Sequence, residues 1–147
     1  MSVAEIKQLL ERLWRVEGVN YCILLTDFGE NVGYPEAEAR RYDLLSSLFE
    51  GVFTAEEENG KRVGIGELEI LVADHLMGRV FSKKLNGGIL SVVADKKSQM
   101  GVIMYMMNQV AKVVDEKKFI EALVKKPSRA EVQDALGLLQ QFQSRLR

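Results

Sequence analysis

The sequence predicts an α/β domain: a five-stranded antiparallel sheet with helices on both faces and an extra C-terminal helix. Three observations predict it. Asn86-Gly87 stands between two apolar runs, the strongest short-range hairpin signal, which makes the sheet antiparallel. Tyr21-Cys22-Ile23-Leu24-Leu25 and Ile89-Leu90-Ser91-Val92-Val93-Ala94 have no polar face, so both of their sides need covering. Around these runs, apolar residues recur at spacings of three and four, the helical period. A chain of 147 residues is long enough for one such core without disulfide staples.

The elements follow in order. Ile6, Leu9, Leu10, Leu13 and Val16 make one face of a helix over Val3–Val16, with Ser2 and Glu5 as a capping box and Gly18 as its end. The run at Tyr21–Leu25 is a strand. Asp27-Phe28-Gly29-Glu30 is a turn, and Asn31–Tyr34 is a short return strand stopped by Pro35. From Glu36 to about Glu57 the pattern is helical, with Leu44, Leu45, Leu48, Val52, Phe53 and Ala55 in a stripe too wide for one contact. Residues 36–58 hold seven acids and two bases, so the remaining face is acidic, and Asn59-Gly60 is the expected end.

Leu68–Ala73, Met77–Leu85 and Ile89–Ala94 are the next three strands. Asp95 or Ser98 can cap a helix to about Asp115 that is apolar nearly all round, so it is expected to be largely buried. A lysine-rich segment follows to Lys126. Beyond Pro127, Ser128 and Glu131 form a second capping box for a helix over Arg129–Leu146, with Val132, Leu136, Leu139, Phe142 and Leu146 on one face. Residues 1–116 thus read as the body and 117–147 as a helical extension.

Composition removes several function classes. Twenty Lys+Arg against 21 Asp+Glu argues against a general nucleic-acid binder. One cysteine, Cys22, permits no intrachain disulfide and fits a reducing compartment. No signal peptide and no membrane-length apolar run is visible, so the expected address is the cytoplasm. With a single histidine, His75, and one cysteine, a His/Cys zinc site lacks ligands and a serine triad would have to use His75 and nothing else, so neither chemistry is expected. No metal or cofactor is expected.

The phosphate-binding loop is absent: Gly60-Lys61 lacks the preceding glycine, and Arg62 stands where Ser or Thr is needed. Gly64-Ile65-Gly66 lacks the third glycine and the strand-to-helix context of a dinucleotide site. Asp74-His75 reads as a polar hairpin connection and Cys22 as a buried, inert thiol. The methionines of the helix after residue 98 read as core filler. Lys117, Lys118, Lys125, Lys126 and Arg129 read as a solvated basic face, with an acidic partner surface as the alternative.

The acidic helix carries more information. Its stripe exceeds one sheet contact, and Arg40, Arg41 and Tyr42, residue types that anchor interfaces, stand on its first turns. The strand Leu68–Ala73 would be an apolar edge unless paired, and a two-fold contact can pair it with itself. A homodimer through Leu44, Leu45, Leu48, Val52, Leu68, Ile70 and Val72 is therefore expected.

Leu9-x-x-x-Leu13-x-x-Val16-x-Gly18-Val19, followed by Leu24-Leu25-x-Asp27-x-x-Gly29, is similar to the opening of Roadblock domains. Ile89–Asp95 followed by Ser98-x-x-Gly101 resembles their last strand and the start of their last helix. The resemblance covers residues 3–115, and the extra C-terminal helix resembles the extension of the MglB-like branch. It implies a profilin-like sandwich with two helices on one face and one on the other. It also implies a dimer joined through the middle strands and second helices.

The implied function is not an enzyme's own. It is binding of a small Ras-like GTPase, with stimulation of hydrolysis in the MglB type, where the partner supplies the catalytic residues. A scaffold dimer without effect on hydrolysis is the alternative, and a small-molecule sensor is a weaker third. Arg40, Arg41, Tyr42, Ser47, Leu139 and Phe142 are the candidate partner contacts; none is assigned as a catalytic finger. The short second strand departs from the longer one of many family members.

Overall fold

Ile6, Leu10 and Leu13 stand on the buried side of helix α1, Val3–Trp14, in a computed structural model of the chain. That structure describes residues 3–26, 31–36, 39–116, 136, 137 and 139–141, without the side chains of 39–43. After α1 come β1 (Val19–Thr26), β2 (Asn31–Tyr34), α2 (Ala39–Arg62), β3 (Ile70–Asp74), β4 (Gly78–Leu85), β5 (Gly88–Asp95) and α3 (Met100–Glu116). The expected order is found. Ser2, the Asp27–Glu30 turn, the basic stretch beyond residue 116 and the Ser128/Glu131 box lie outside the described residues, while Leu136, Gly137 and residues 139–141 are helical.

The strands form one antiparallel sheet in the order β2-β1-β5-β4-β3. The two runs without a polar face, β1 and β5, lie inside it, with Cys22 opposite Val92 and Leu24 opposite Leu90. Strand side chains alternate between faces, so this register decides which residues share a core. Cys22, Leu24, Phe81, Leu90 and Val92 face α1 and α3, where they meet Ile6, Leu10, Leu13, Ile103, Met107 and Val114. Ile23, Leu25 and Ile89 take the opposite face and are buried, as is Phe53 of α2. Two helices on one face and one on the other is the observed arrangement.

Gly18 joins α1 to β1 at φ +91°, and a Cβ there would lie 2.8 Å from Ser98 Cβ and 2.9 Å from Asp95 Oδ1. Its carbonyl accepts from Asp95 N at 2.8 Å, which ties the first strand's entry to the start of α3. Gly18→Ala is therefore expected to cost about 2 kcal/mol or more from the left-handed backbone and the overlap together. Chemical denaturation would show this as a lower midpoint at constant slope; an unchanged midpoint would mean the junction yields freely.

Three expectations need correction. The second helix passes Gly60 and stops at Arg62, because the terminating left-handed residue is Gly64, at φ +82°. Ile65 N donates to Gly60 O at 2.9 Å and Gly64 N to Lys61 O at 3.2 Å, the paired bonds of a Schellman end. Gly60 instead lies close under the following loop, where a Cβ on it would stand 3.2 Å from Gly66 O, a tight contact.

The start of α3 is capped by neither expected side chain in the usual way. Asp95 Oδ1 accepts from Lys97 N at 3.0 Å in an Asx turn, and Ser98 Oγ donates to Asp95 O at 2.7 Å. Nor is α3 buried all round: Met100, Val102 and Tyr105 are exposed, because a helix on one face of a sheet has only one side to bury. Trp14, the last residue of α1, donates Nε1–H to Asn20 O at 3.1 Å and meets Tyr34 edge-on at 5.3 Å.

Candidate functional site

α2 covers β1 and β2 and leaves the outer part of its own face of the sheet open. Ser46 and Phe53 point inward and are buried. Leu44, Leu48 and Val52, spaced by four, lie 55–70% exposed on the side away from that contact. Beside them runs a groove of about 280 Å³, walled by Leu48, Phe49 and Val52 and floored by Leu71, Ala73, Val80 and Ser82. The stripe that exceeds one sheet contact is thus real: half holds the helix down, and half looks over uncovered strands.

The strand beside this groove, β3, is an edge. Lys84 N donates to Glu69 O and His75 N to Gly78 O, which continues the Leu71–Ser82 and Ala73–Val80 pairs in one antiparallel ladder. Odd-numbered residues of β3 therefore spend their backbone groups on β4. Ile70, Val72 and Asp74 turn theirs outward to the open side. An edge with three outward residues and an apolar helix stripe above it is a template for another strand.

Ion pairs hold both ends of β3. At its start, the Glu57 carboxylate accepts Leu68 N at 3.2 Å and Lys84 Nζ at 2.9 Å, fastening the α2–β3 connection to the helix. The hydrogen bond from Lys84, aided by that from Leu68 and opposed by partial desolvation, holds Glu57 below the usual glutamate range. At the other end, Asp74 pairs with Lys96 and with Arg79, and Arg79 also donates to Ser98 O at 3.1 Å. Lys96 chiefly, then Arg79, keep the Asp74 carboxyl low.

A carboxylate with a depressed folded-state pKa stabilises above its unfolded value, and that contribution fades as pH falls through the folded one. Stability is therefore expected to decline from about pH 5 downward. Glu57→Gln should flatten this acid limb while leaving the neutral-to-basic side parallel to the parent; melting curves in a pH series check it. An identical acid limb would remove Glu57 from the explanation.

The structure brings some predicted residues together and not others. Leu44, Leu48 and Val52 share the exposed stripe, and Leu45 is half-buried beside it. Leu68, Ile70 and Val72 are half-buried on β3 and its approach, but Val72 packs toward the α1/α3 core, on the side away from the groove. Leu71 and Ala73, on either side of Val72, floor the groove and were missed, as was Phe49. Strand alternation places Leu71 and Ala73 together on one face without saying which face carries α2, whereas Phe49, four residues after Leu45, was legible from helical spacing.

Ser47 is exposed on α2, and Leu139 is exposed and helical; the side chains of Arg40, Arg41 and Tyr42, and all of Phe142, lie outside the described residues. Cys22 is buried and desolvation pushes its thiol far up, so it is no nucleophile. His75 stands in the β3–β4 connection, whose tip is not polar as expected but carries Leu76 and Met77. Among the described residues no carboxylate, His and Cys group could hold a metal ion, and no helix is long and apolar enough to cross a membrane.

No protein-family model and no curated protein matches the sequence. Solved structures do match the fold. MglB of Myxococcus xanthus superposes with a TM-score of 0.71 at 18% identity, over 86% of this chain and 96% of that one. A Roadblock/LC7 domain from Streptomyces avermitilis gives 0.68 at 22% identity, over 77% and 97%. The gliding protein MglB of Thermus thermophilus gives 0.66 at 16% identity, over 79% and 90%. At these identities the likeness is one of fold: the chain has the Roadblock sandwich.

Proposed function

We propose that this chain is a homodimeric regulator or scaffold for a small Ras-like GTPase, of the MglB type. The observation that carries the reading is the coincidence of three unfilled features on one side: the open edge of β3, the groove, and the Leu44/Leu48/Val52 stripe. A second copy fills all three at once. Its β3 pairs with this β3, and its α2 stripe lies across this groove, which a two-fold axis makes mutual. The Roadblock-like fold, and the sequence resemblance to MglB-like proteins, support the GTPase as the further partner.

On this reading the dimer presents two copies of the first turns of α2, with Arg40, Arg41, Tyr42 and Ser47, to the GTPase. No residue of this chain enters the chemistry. The dimer acts by holding the GTPase's own loops in a hydrolysing arrangement, so its effect is positional. Residues 117–147 form an accessory segment in which Leu139 and Phe142 supply apolar contacts.

Single-turnover GTP hydrolysis by a small Ras-like GTPase of the same organism, with and without this chain, tests the reading. Acceleration supports a regulator. Binding without acceleration supports the scaffold alternative, and absence of binding defeats both. Arg40→Ala with Arg41→Ala should leave the stability within about ±0.5 kcal/mol of the parent and weaken GTPase binding. A chain ending at Lys126 should still dimerise while its effect on the GTPase changes. Aggregation of that truncated chain would instead make the last helix part of the core.

A further inference from the structure

Four large apolar side chains flank β3 in two pairs, outside the groove and the α2 stripe. Val63 and Ile65 follow α2, and Leu76 and Met77 form the tip between β3 and β4; all four are 72–90% exposed. Paired exposure of this kind at both ends of one edge strand is unusual for a surface that stays in water. Charges of both signs flank the strand: Glu67 and Glu69 stand at its start beside Lys83 and Lys84, and Asp74, Arg79 and Lys96 gather at its end.

The outward backbone groups decide how a second β3 can lie alongside. They belong to Ile70, Val72 and Asp74, so an antiparallel two-fold pair that uses all three must be centred on Val72. Ile70 then faces the other copy's Asp74. Beyond Asp74 the chain reverses at Leu76 and Met77, so each tip projects past the end of its own β3 toward the other copy's Leu68, which precedes Ile70. The tip of each copy lies on the α2–β3 connection of the other.

Resting on the dimer reading above, we infer that the β3–β4 tip is an interchain clasp: Leu76 and Met77 of one copy close over the Val63–Leu68 connection of a second copy. The intrachain pairs give the clasp its rigidity. Asp74, Arg79 and Lys96 fasten the root of the tip, and Glu57 fastens the connection that receives it. The clasp also makes pairing selective. A chain with another tip would meet the edge strand without its flanks.

Cross-linking reads the register directly. Full-length Ile70→Cys and Asp74→Cys chains are co-expressed and oxidised mildly; the native Cys22 is buried and stays out of the reaction. Facing residues at a hydrogen-bonded position lie about 5.5 Å apart between Cα atoms, within disulfide range. In this register like positions are separated by four strand residues, about 14 Å. The mixed sample should therefore give a covalent dimer that neither variant gives alone.

A second variant, Leu76→Ser with Met77→Ser, alters exposed side chains and should keep its melting temperature. It should raise the dimer dissociation constant by about 100-fold. A dimer by light scattering that fails to cross-link in the mixture, or one indifferent to the serine pair, overturns the clasp and leaves the dimer standing. A parent chain that is monomeric at micromolar concentration overturns the dimer itself, and the clasp with it.

Discussion

A Leu48→Asp chain is expected to run as a folded monomer of 16.6 kDa in light scattering, where the parent runs at about twice that mass. Leu48 is more than half exposed in the single chain, on the outer side of α2. A carboxylate there stays hydrated in the monomer, so folding loses only about 0.5 kcal/mol of helix propensity. In the proposed dimer the same position lies in an apolar contact against the partner's groove. Burying an unpaired carboxylate costs several kcal/mol, and two-fold symmetry imposes it twice. The dissociation constant should rise by about 1,000-fold or more. Circular dichroism separates the outcomes. A monomer with parental helix content supports the interface, a misfolded chain would place Leu48 in the core, and a persistent dimer would place the interface elsewhere.

Phe81→Ala is the change with the largest expected effect on the fold itself. Phe81 is fully buried in the middle of β4, opposite Val72 on one side and Val92 on the other, beneath α1 and α3. Removing a ring from such a site costs about 3–5 kcal/mol, from lost transfer energy and the cavity left behind. For a chain of this length the melting temperature should fall by roughly 10–15 °C. Calorimetry checks it. A loss of only a few degrees would show that the layer between sheet and helices collapses to fill the gap. The two variants thus separate the faces: Phe81 reports on the α1/α3 core, Leu48 on the uncovered α2 side.

The difference between those faces explains how much was legible beforehand. All five strands and the three helices of the body announce themselves locally, through apolar runs, the helical period and Asn86-Gly87. Boundaries were less legible where two signals competed. Asn59-Gly60 resembles a helix end, but Gly64 takes the left-handed conformation, and Gly60 serves a close approach to Gly66 O that only the folded loop creates. The all-round apolar pattern of α3 predicted burial. Its exposed Met100, Val102 and Tyr105 show that periodicity reports where a helix could be covered and not where a neighbour exists.

The site divides in the same way. Leu44, Leu48 and Val52 were legible as a surplus stripe, since a four-residue spacing places them on one line without any tertiary information. The strand residues were not. Leu68, Ile70 and Val72 share one face of β3 and Leu71 and Ala73 the other, and sequence alternation alone cannot say which side carries α2.

From the sequence alone came the element order, the antiparallel sheet and an α2 stripe with more apolar surface than one contact needs, because each depends on contacts between residues near in the chain or on simple counting. The tertiary structure decided the strand order that leaves the expected edge at β3, that its even-numbered residues turn their backbone groups outward, and that Leu71 and Ala73 face the groove. Those facts depend on which strand pairs with which and in what register, and pairing joins residues far apart in sequence, whose partners no local pattern names.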